Sequence, residues 1–313
     1  MTTGTDESKA TPLLPVLALR GQRIGISVSA SADLARLGLM PEHFQLALRE
    51  LARTVLVGGG TLAYGGHLVP GGFTEFLVSE LGQYARTDAL GQGQGAAEVP
   101  LLICLSNQEH RNCSIKKLER IDTELGVHGE LQCIDLDGKV VTNWRVGRGE
   151  EGEPYPSDPK TLAQGLTALR RCMAAHTAGR MLLGGKRQKR SDAMPDGYTG
   201  DMPGVLQEAL LALERDQPLY LAAGFGGVTL NIACAVDLSL DGFCPRHSGD
   251  PALDDATAAA LSQVRSLVGT TGWDRMHNGL DAEENRQLAM THRPTEIAAL
   301  VALGLGRIAQ GGR

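Results

Sequence analysis

The sequence predicts an α/β fold: a doubly wound, mostly parallel sheet carrying a β-hairpin insertion and a helical C-terminal region. Three observations point there. Short apolar runs rich in β-branched residues alternate with stretches of helical period. Glycine clusters follow several of those runs, as they do at strand-to-helix turns. The last third of the chain holds helical patterns only. Strands alternating with helices build parallel sheets covered on both faces. The 313 residues are 42% hydrophobic and 21% charged, a globular balance with enough apolar side chains for a large core.

The elements follow in order. Residues 1–20 read as a tail that ends in a short apolar segment, and 21–313 as one domain. Arg23–Ser29 reads as a buried strand, followed by a small-residue loop to Met40. Pro41 opens a helix to about Arg53, with Phe44, Leu46, Leu48 and Leu51 as its main apolar positions. Thr54–Val57 reads as a second strand that ends in Gly58, Gly59 and Gly60. A helix is expected over 72–85, a glycine-rich loop over 88–98 and a third strand over 99–105. Residues 107–128 are polar with helical character, and alternation about Asp137-Gly138 predicts a hairpin over 129–147. After a loop come a helix over 160–178 and a strand, Met181–Leu183, ending in Gly184 and Gly185. A basic, then polar loop over 186–202 leads to a helix from Pro203 to about Arg215. The strand Pro218–Ala223 ends in Gly224–Gly227, and a helix follows over 228–235. Helices over 253–270, 282–290 and 294–309 form the C-terminal region, about 251–313.

Composition narrows the function. Lys and Arg number 30 against 36 Asp and Glu, a formal charge of −6 with no long basic stripe, so general nucleic-acid binding is not expected. Aromatics at 4% argue against base-stacking platforms. The six cysteines show no CxxC spacing and the histidines no metal-ligand spacing, so neither a metal nor a resident cofactor is expected. No apolar run approaches ~18 residues and the start is not a convincing secretory signal, so a cytoplasmic protein away from membranes is expected. No P-loop and no GxSxG elbow occur in the sequence, and no GxGxxG follows the first strand with an acidic residue ~20 positions on.

The glycine clusters carry the functional signal. At the carboxyl ends of parallel strands, glycine lets the backbone approach a ligand, and free N–H groups there attract anions. The candidate ligand-binding residues are Ser29, Ser31, Gly58, Gly59, Gly60, Tyr64, Gly65, Gly184, Gly185, Lys186, Arg187, Pro203, Gly204, Glu208, Gly224, Phe225, Gly226 and Gly227. The serine hydroxyls can donate to a phosphate or ribose, and Tyr64 and Phe225 can stack on a base. Lys186, Arg187, Lys189 and Arg190 make the loop after Gly185 a basic lid. His67 is a candidate proton donor. The same glycines can also serve tight packing alone, and the charges a solvated loop.

Two runs resemble a known family. Thr54-Val-Leu-Val-Gly-Gly-Gly-Thr-Leu-Ala-Tyr-Gly-Gly66 is similar to the strand–GGG–xxGxMG turn of the LOG, or lysine-decarboxylase-like, proteins. Gly200-Asp-Met-Pro-Gly-Val-Leu-Gln-Glu208-Ala is similar to their PGGxGTxxE helix start. Over roughly 21–235 the chain resembles the wider SLOG superfamily. That group includes the LOG phosphoribohydrolases, the Smf/DprA proteins and nucleotide-sensing regions of TRPM channels and bacterial defence proteins. The resemblance implies a Rossmann-like sheet whose strand ends hold a nucleotide or ADP-ribose-like ligand. It also implies a catalytic pair: Glu208 matches the motif's glutamate, and Arg187, with Arg180 and Arg190 as alternatives, stands for the upstream arginine. Val205-Leu206-Gln207 replace the residues that would cradle the phosphate.

A kept glycine framework with a degraded catalytic motif favours a nucleotide sensor or regulatory domain, of the kind found in antiviral defence. The alternatives are an N-glycosidase using Glu208 and a nearby arginine, and a non-catalytic interaction protein. Association into a homo-oligomer is expected from the resemblance. The apolar stripe Ile297–Leu303 fits either a subunit contact or a helix covering the sheet of its own chain.

Overall fold

The computed structural model describes residues 17–85, 99–145, 158–238, 240 and 253–311. The expected tail up to residue 16, the glycine-rich stretch 88–98, most of the loop before Pro159 and Cys244 lie outside the described residues. The chain runs β1 (Arg23–Ser29), α1 (Pro41–Val57), β2 (Thr61–Gly65), α2 (Phe73–Ala85), β3 (Leu101–Leu105), α3 (Asn107–Arg111), α4 (Ile115–Leu125) and β4 (Gly129–Cys133). It continues α5 (Pro159–Ala175), β5 (Gly179–Gly184), α6 (Gly204–Glu214), β6 (Leu219–Ala222), α7 (Gly227–Ala235), α8 (Asp255–Val268), α9 (Ala282–Met290) and α10 (Pro294–Gly311). Six parallel strands form one sheet in the order β4-β3-β2-β1-β5-β6. This is the doubly wound, Rossmann-like arrangement the alternation predicts.

Side-chain alternation in the strands feeds two cores. Ile24, Ile26 and Val28 of β1 join α1, α2, α4 and α10 on one face. Leu182 of β5 joins α6, α7 and α8 on the other, and Ala63, Leu102 and Cys104 meet Leu169 and Met173 of α5. Each fully buried large aliphatic side chain contributes about 1.5–3 kcal/mol from area alone.

Two expectations need correction. Thr54–Val57 is no strand but the last turn of α1. Val55 continues the spacing of Phe44, Leu48 and Leu51 and shares their buried face, and that packing outweighs the β-propensity of its neighbours. The second strand is Thr61–Gly65. Gly58, Gly59 and Gly60 therefore precede a strand. Leu19 N donates to Gly58 O at 2.8 Å and Thr61 N to Gln22 O at 2.9 Å, next to the start of β1. They sit at the amino end of the sheet, away from any crevice at its carboxyl end. The second correction concerns the hairpin. Gly129–Cys133 pairs parallel to β3, and the antiparallel part shrinks to one Ile134–Val140 bridge. Its Asp137-Gly138 turn does form, with Asp135 Oδ1 accepting from Asp137 N and Lys139 N at 2.9 and 2.8 Å. Across it Asp135 N donates to Lys139 O at 2.9 Å and Val141 N to Cys133 O at 2.8 Å, so a short antiparallel return follows β4 in place of a full hairpin.

The C-terminal helices cover this chain's own sheet. Ile297, Leu300, Val301 and Leu305 are buried in the first core. A polar lock fixes their segment to edge strand β6. Asn278 Nδ2 donates to Leu219 O at 2.8 Å and to Asn285 Oδ1 at 2.7 Å, and Tyr220 OH donates to Asn278 O at 2.9 Å. Both asparagines are buried, so these bonds are costly to leave unmade. Gly304 makes the fit possible: a Cβ there would stand 2.3 Å from Asn278 O and 2.8 Å from Tyr220 Cε1. Gly304→Ala is expected to cost about 1–3 kcal/mol, read as a lower urea midpoint. An unchanged midpoint would disprove this close docking of α10.

Candidate functional site

From β1 the chain winds outward through β2, β3 and β4, then returns to β5 on the other side of β1. Connections leave β1 and β5 in opposite directions, so their carboxyl ends open into a crevice, the usual ligand position of such sheets. A cavity of about 520 Å³ fills it. Ser31, Asp33 and Arg36 from the loop after β1 form one wall. Lys186 and Arg187 after β5 form a second, and Asn231 of α7 a third. Met194 and Leu253 add apolar surface, and Asp196 a carboxylate at the mouth.

Asp33 organises these walls. Its Oδ1 accepts from Arg187 Nη1 at 2.8 Å and lies 3.0 Å from Arg36 Nη2. Its Oδ2 accepts from Gly227 N at 2.7 Å and lies 2.5 Å from Arg187 Nη2. Arg187 Nε donates to Asn231 Oδ1 at 2.7 Å, and Ser31 Oγ accepts from Asp33 N at 3.1 Å. Asp33 is 5% exposed, so its charge is balanced inside the protein by two guanidinium groups and by the amino end of α7. Arg187 thus neutralises Asp33; it does not approach Glu208 as the catalytic reading expected.

The glycine turns behave differently from the expectation of bare amides. Gly184, Gly185, Gly226 and Gly227 all have positive φ. A Cβ on Gly227 would stand 2.4 Å from Gly185 O, and one on Gly226 2.4 Å from Asp33 Oδ2. The two turns pack backbone against backbone. Their amides are already used: Gly185 N donates to Ser29 O, Val228 N to Gly185 O, Gly226 N to Ala223 O and Gly227 N to Asp33. With the Gly227 amide taken up by Asp33, the positive groups of the cavity are the side-chain cations Arg36, Lys186 and Arg187.

The basic loop is tied to the C-terminal region. Lys189 N donates to Asp254 Oδ2 at 2.7 Å, while Asp254 Oδ1 caps α8 through Thr257 N at 2.8 Å. Thr257 Oγ1 donates to Arg187 O at 2.9 Å, and Lys186 Nζ to Gly197 O at 3.3 Å. Burial and the Asp254 carboxylate push Tyr198 up to about 12. Arg190 is exposed on this loop.

Several expected site residues lie elsewhere. Tyr64 is buried within β2, and burial and Glu208 raise its hydroxyl pKa. Phe225 is fully buried and stacks on Phe44 at 4.8 Å, so neither aromatic presents a face to a base. Gly65 lies under Met173, and Gly224 against Thr291 O. Gly204, after Pro203, starts α6 beneath the Arg170 guanidinium. His67 is largely exposed and bonds Glu109 Oε2 at 3.2 Å. Glu208 does not line the cavity. It is 8% exposed, and its Oε1 lies 3.4 Å from Nη1 of Arg180, which is wholly buried over Gly25 and donates to Ser27 Oγ at 3.1 Å. Sequence reasoning missed Asp33, Arg36 and Asn231. The one local signal was Asn231, the single amide side chain in α7.

Removing the Glu208 charge leaves a buried guanidinium uncompensated. Glu208→Ala is expected to cost about 3–5 kcal/mol in urea unfolding; a variant as stable as the parent would refute this structural role. Burial raises the Glu109 carboxyl, but bonds from His67 and the Leu68 amide outweigh it and hold it below its ordinary value of 4.5. Its contribution is present above pH 4.5 and lost as pH falls through the lowered value. Thermal melts of Glu109→Gln are therefore expected to lie below the parent at pH 7 and converge with it at acid pH. A constant gap across that range would contradict the assignment.

Among the described residues no helix is long and apolar enough to cross a membrane, and no group of side chains could hold a metal ion. No curated protein matches the sequence. A family model described as SLOG cluster2 matches residues 18–288, a span that holds every strand and all the cavity walls. The chain therefore belongs to the SLOG cluster2 family, a membership that points to a nucleotide-related function.

Proposed function

We propose that this protein binds a phosphate-bearing nucleotide or ADP-ribose-like molecule in the crevice over β1 and β5 and acts as a sensor or regulatory domain. The observation that carries the reading is the cavity of about 520 Å³ at the topological switch point, lined by Arg36, Lys186 and Arg187. Its size suits a nucleotide, and its mixed apolar and cationic walls suit a base or sugar next to a phosphate. Binding is favoured over N-glycosidic cleavage because Glu208 is spent on Arg180 and stands outside the cavity. Arg36, Lys186 and Arg187 are the cations within the cavity that can hold the phosphate, and Lys186 does not share its charge with Asp33.

Titration calorimetry against ADP-ribose, NAD, AMP and ATP is expected to show binding of at least one. Lys186→Ala is expected to weaken it about ten-fold or more, the loss of one charge-assisted bond. No heat from any of the four would defeat the reading. Base released from AMP or NAD on incubation would favour the hydrolase instead.

A further inference from the structure

We infer that Asp33 is a built-in surrogate for the ligand's phosphate, and that binding displaces it. This rests on the ligand reading above. The groups that Asp33 engages are those an incoming phosphate would use: the Arg187 fork, Arg36 and the Gly227 amide at the amino end of α7. A carboxylate and a phosphate are chemically alike in this respect, both planar-fork partners of arginine and both favoured at a helix start. The phosphate brings more charge and a further oxygen. The position lies in the wall of the cavity, not behind it, since Asp33, Arg187 and Gly227 all line that space.

The glycine geometry explains why the carboxylate reaches so far in. Gly226 has no Cβ, and any Cβ would strike Asp33 within 2.5 Å at both Oδ2 and Cβ. The site is thus shaped around an anion at this spot. In the unliganded protein Asp33 supplies it. When a phosphate takes its place, Asp33 leaves, and the loop after β1 loses its side-chain ties to Arg187 and Gly227. The change of state is local, bistable and set by the difference in affinity of two anions for one seat. The apparent affinity of the native protein is lowered by the fraction of time Asp33 is seated.

The test compares the unmodified protein with Asp33→Asn and Asp196→Asn, titrated with AMP, ADP-ribose, inorganic phosphate and adenosine. Asp33→Asn keeps an oxygen for the Gly227 amide but removes the competing charge. It is expected to bind the phosphate-bearing probes about ten-fold more tightly and adenosine unchanged. Asp196→Asn removes an equal charge from the same cavity without that contact, so any tightening it gives measures the general field and is the baseline that Asp33→Asn is expected to exceed. Equal tightening by both variants would show a general field effect and overturn the surrogate role, as would unchanged or weaker binding by Asp33→Asn. Binding of no probe by any of the three proteins would overturn the ligand reading itself. If Asp33→Asn does not fold, a crystal structure of the unmodified protein with ADP-ribose decides: Asp33 off the Gly227 amide supports displacement, and Asp33 still seated on it refutes it.

Discussion

A single buried carboxylate holds the carboxyl end of this sheet together. Asp33 joins the loop after β1 to Arg187 and to Gly227, partners 154 and 194 residues away in sequence. Burying a carboxylate costs several kcal/mol, and only good geometry with more than one partner offsets that. Here two guanidinium groups and a helix amino end do so. The same carboxylate thereby ties together the loop after β1, the Arg187 guanidinium and the start of α7 in the cavity wall.

That dependence explains how the sequence was and was not readable. β1, β3, β5 and β6 are short apolar runs with punctuation at both ends, and each lies where its pattern placed it. Thr54–Val57 is ambiguous by nature: four residues are too short to tell a strand from the end of a buried helix. The misreading moved Gly58–Gly60 to the wrong end of the sheet. Alternation at 129–147 marks a strand and a turn but not the direction of pairing, which β3 decides. At the site, Ser31, Gly185, Lys186, Arg187 and Gly227 were legible because they follow strands. Asp33 and Arg36 were not, because their meaning lies in partners remote along the chain, and no local period encodes that.

The Arg180–Glu208 pair shows a second limit. A motif resemblance assigns Glu208 to bond cleavage, yet the folded chain turns it toward an arginine under the sheet. Gly25 leaves room for that guanidinium: a Cβ there would stand 3.0 Å from Arg180 Cζ. The family supplies a scaffold, and the chemistry is decided by which side chains reach the crevice. In this chain those are three cations, the amides of Gln188 and Asn231, the Asp196 carboxylate and the Asp33 carboxylate already in use.

Asp254 divides its two oxygens between the amide of Lys189 and the first turn of α8. The Lys189 bond holds the basic loop against the helix start, and the other oxygen supplies a cap whose loss would cost α8 about 1 kcal/mol. The basic loop and the first turn of α8 are thus pinned to one side chain.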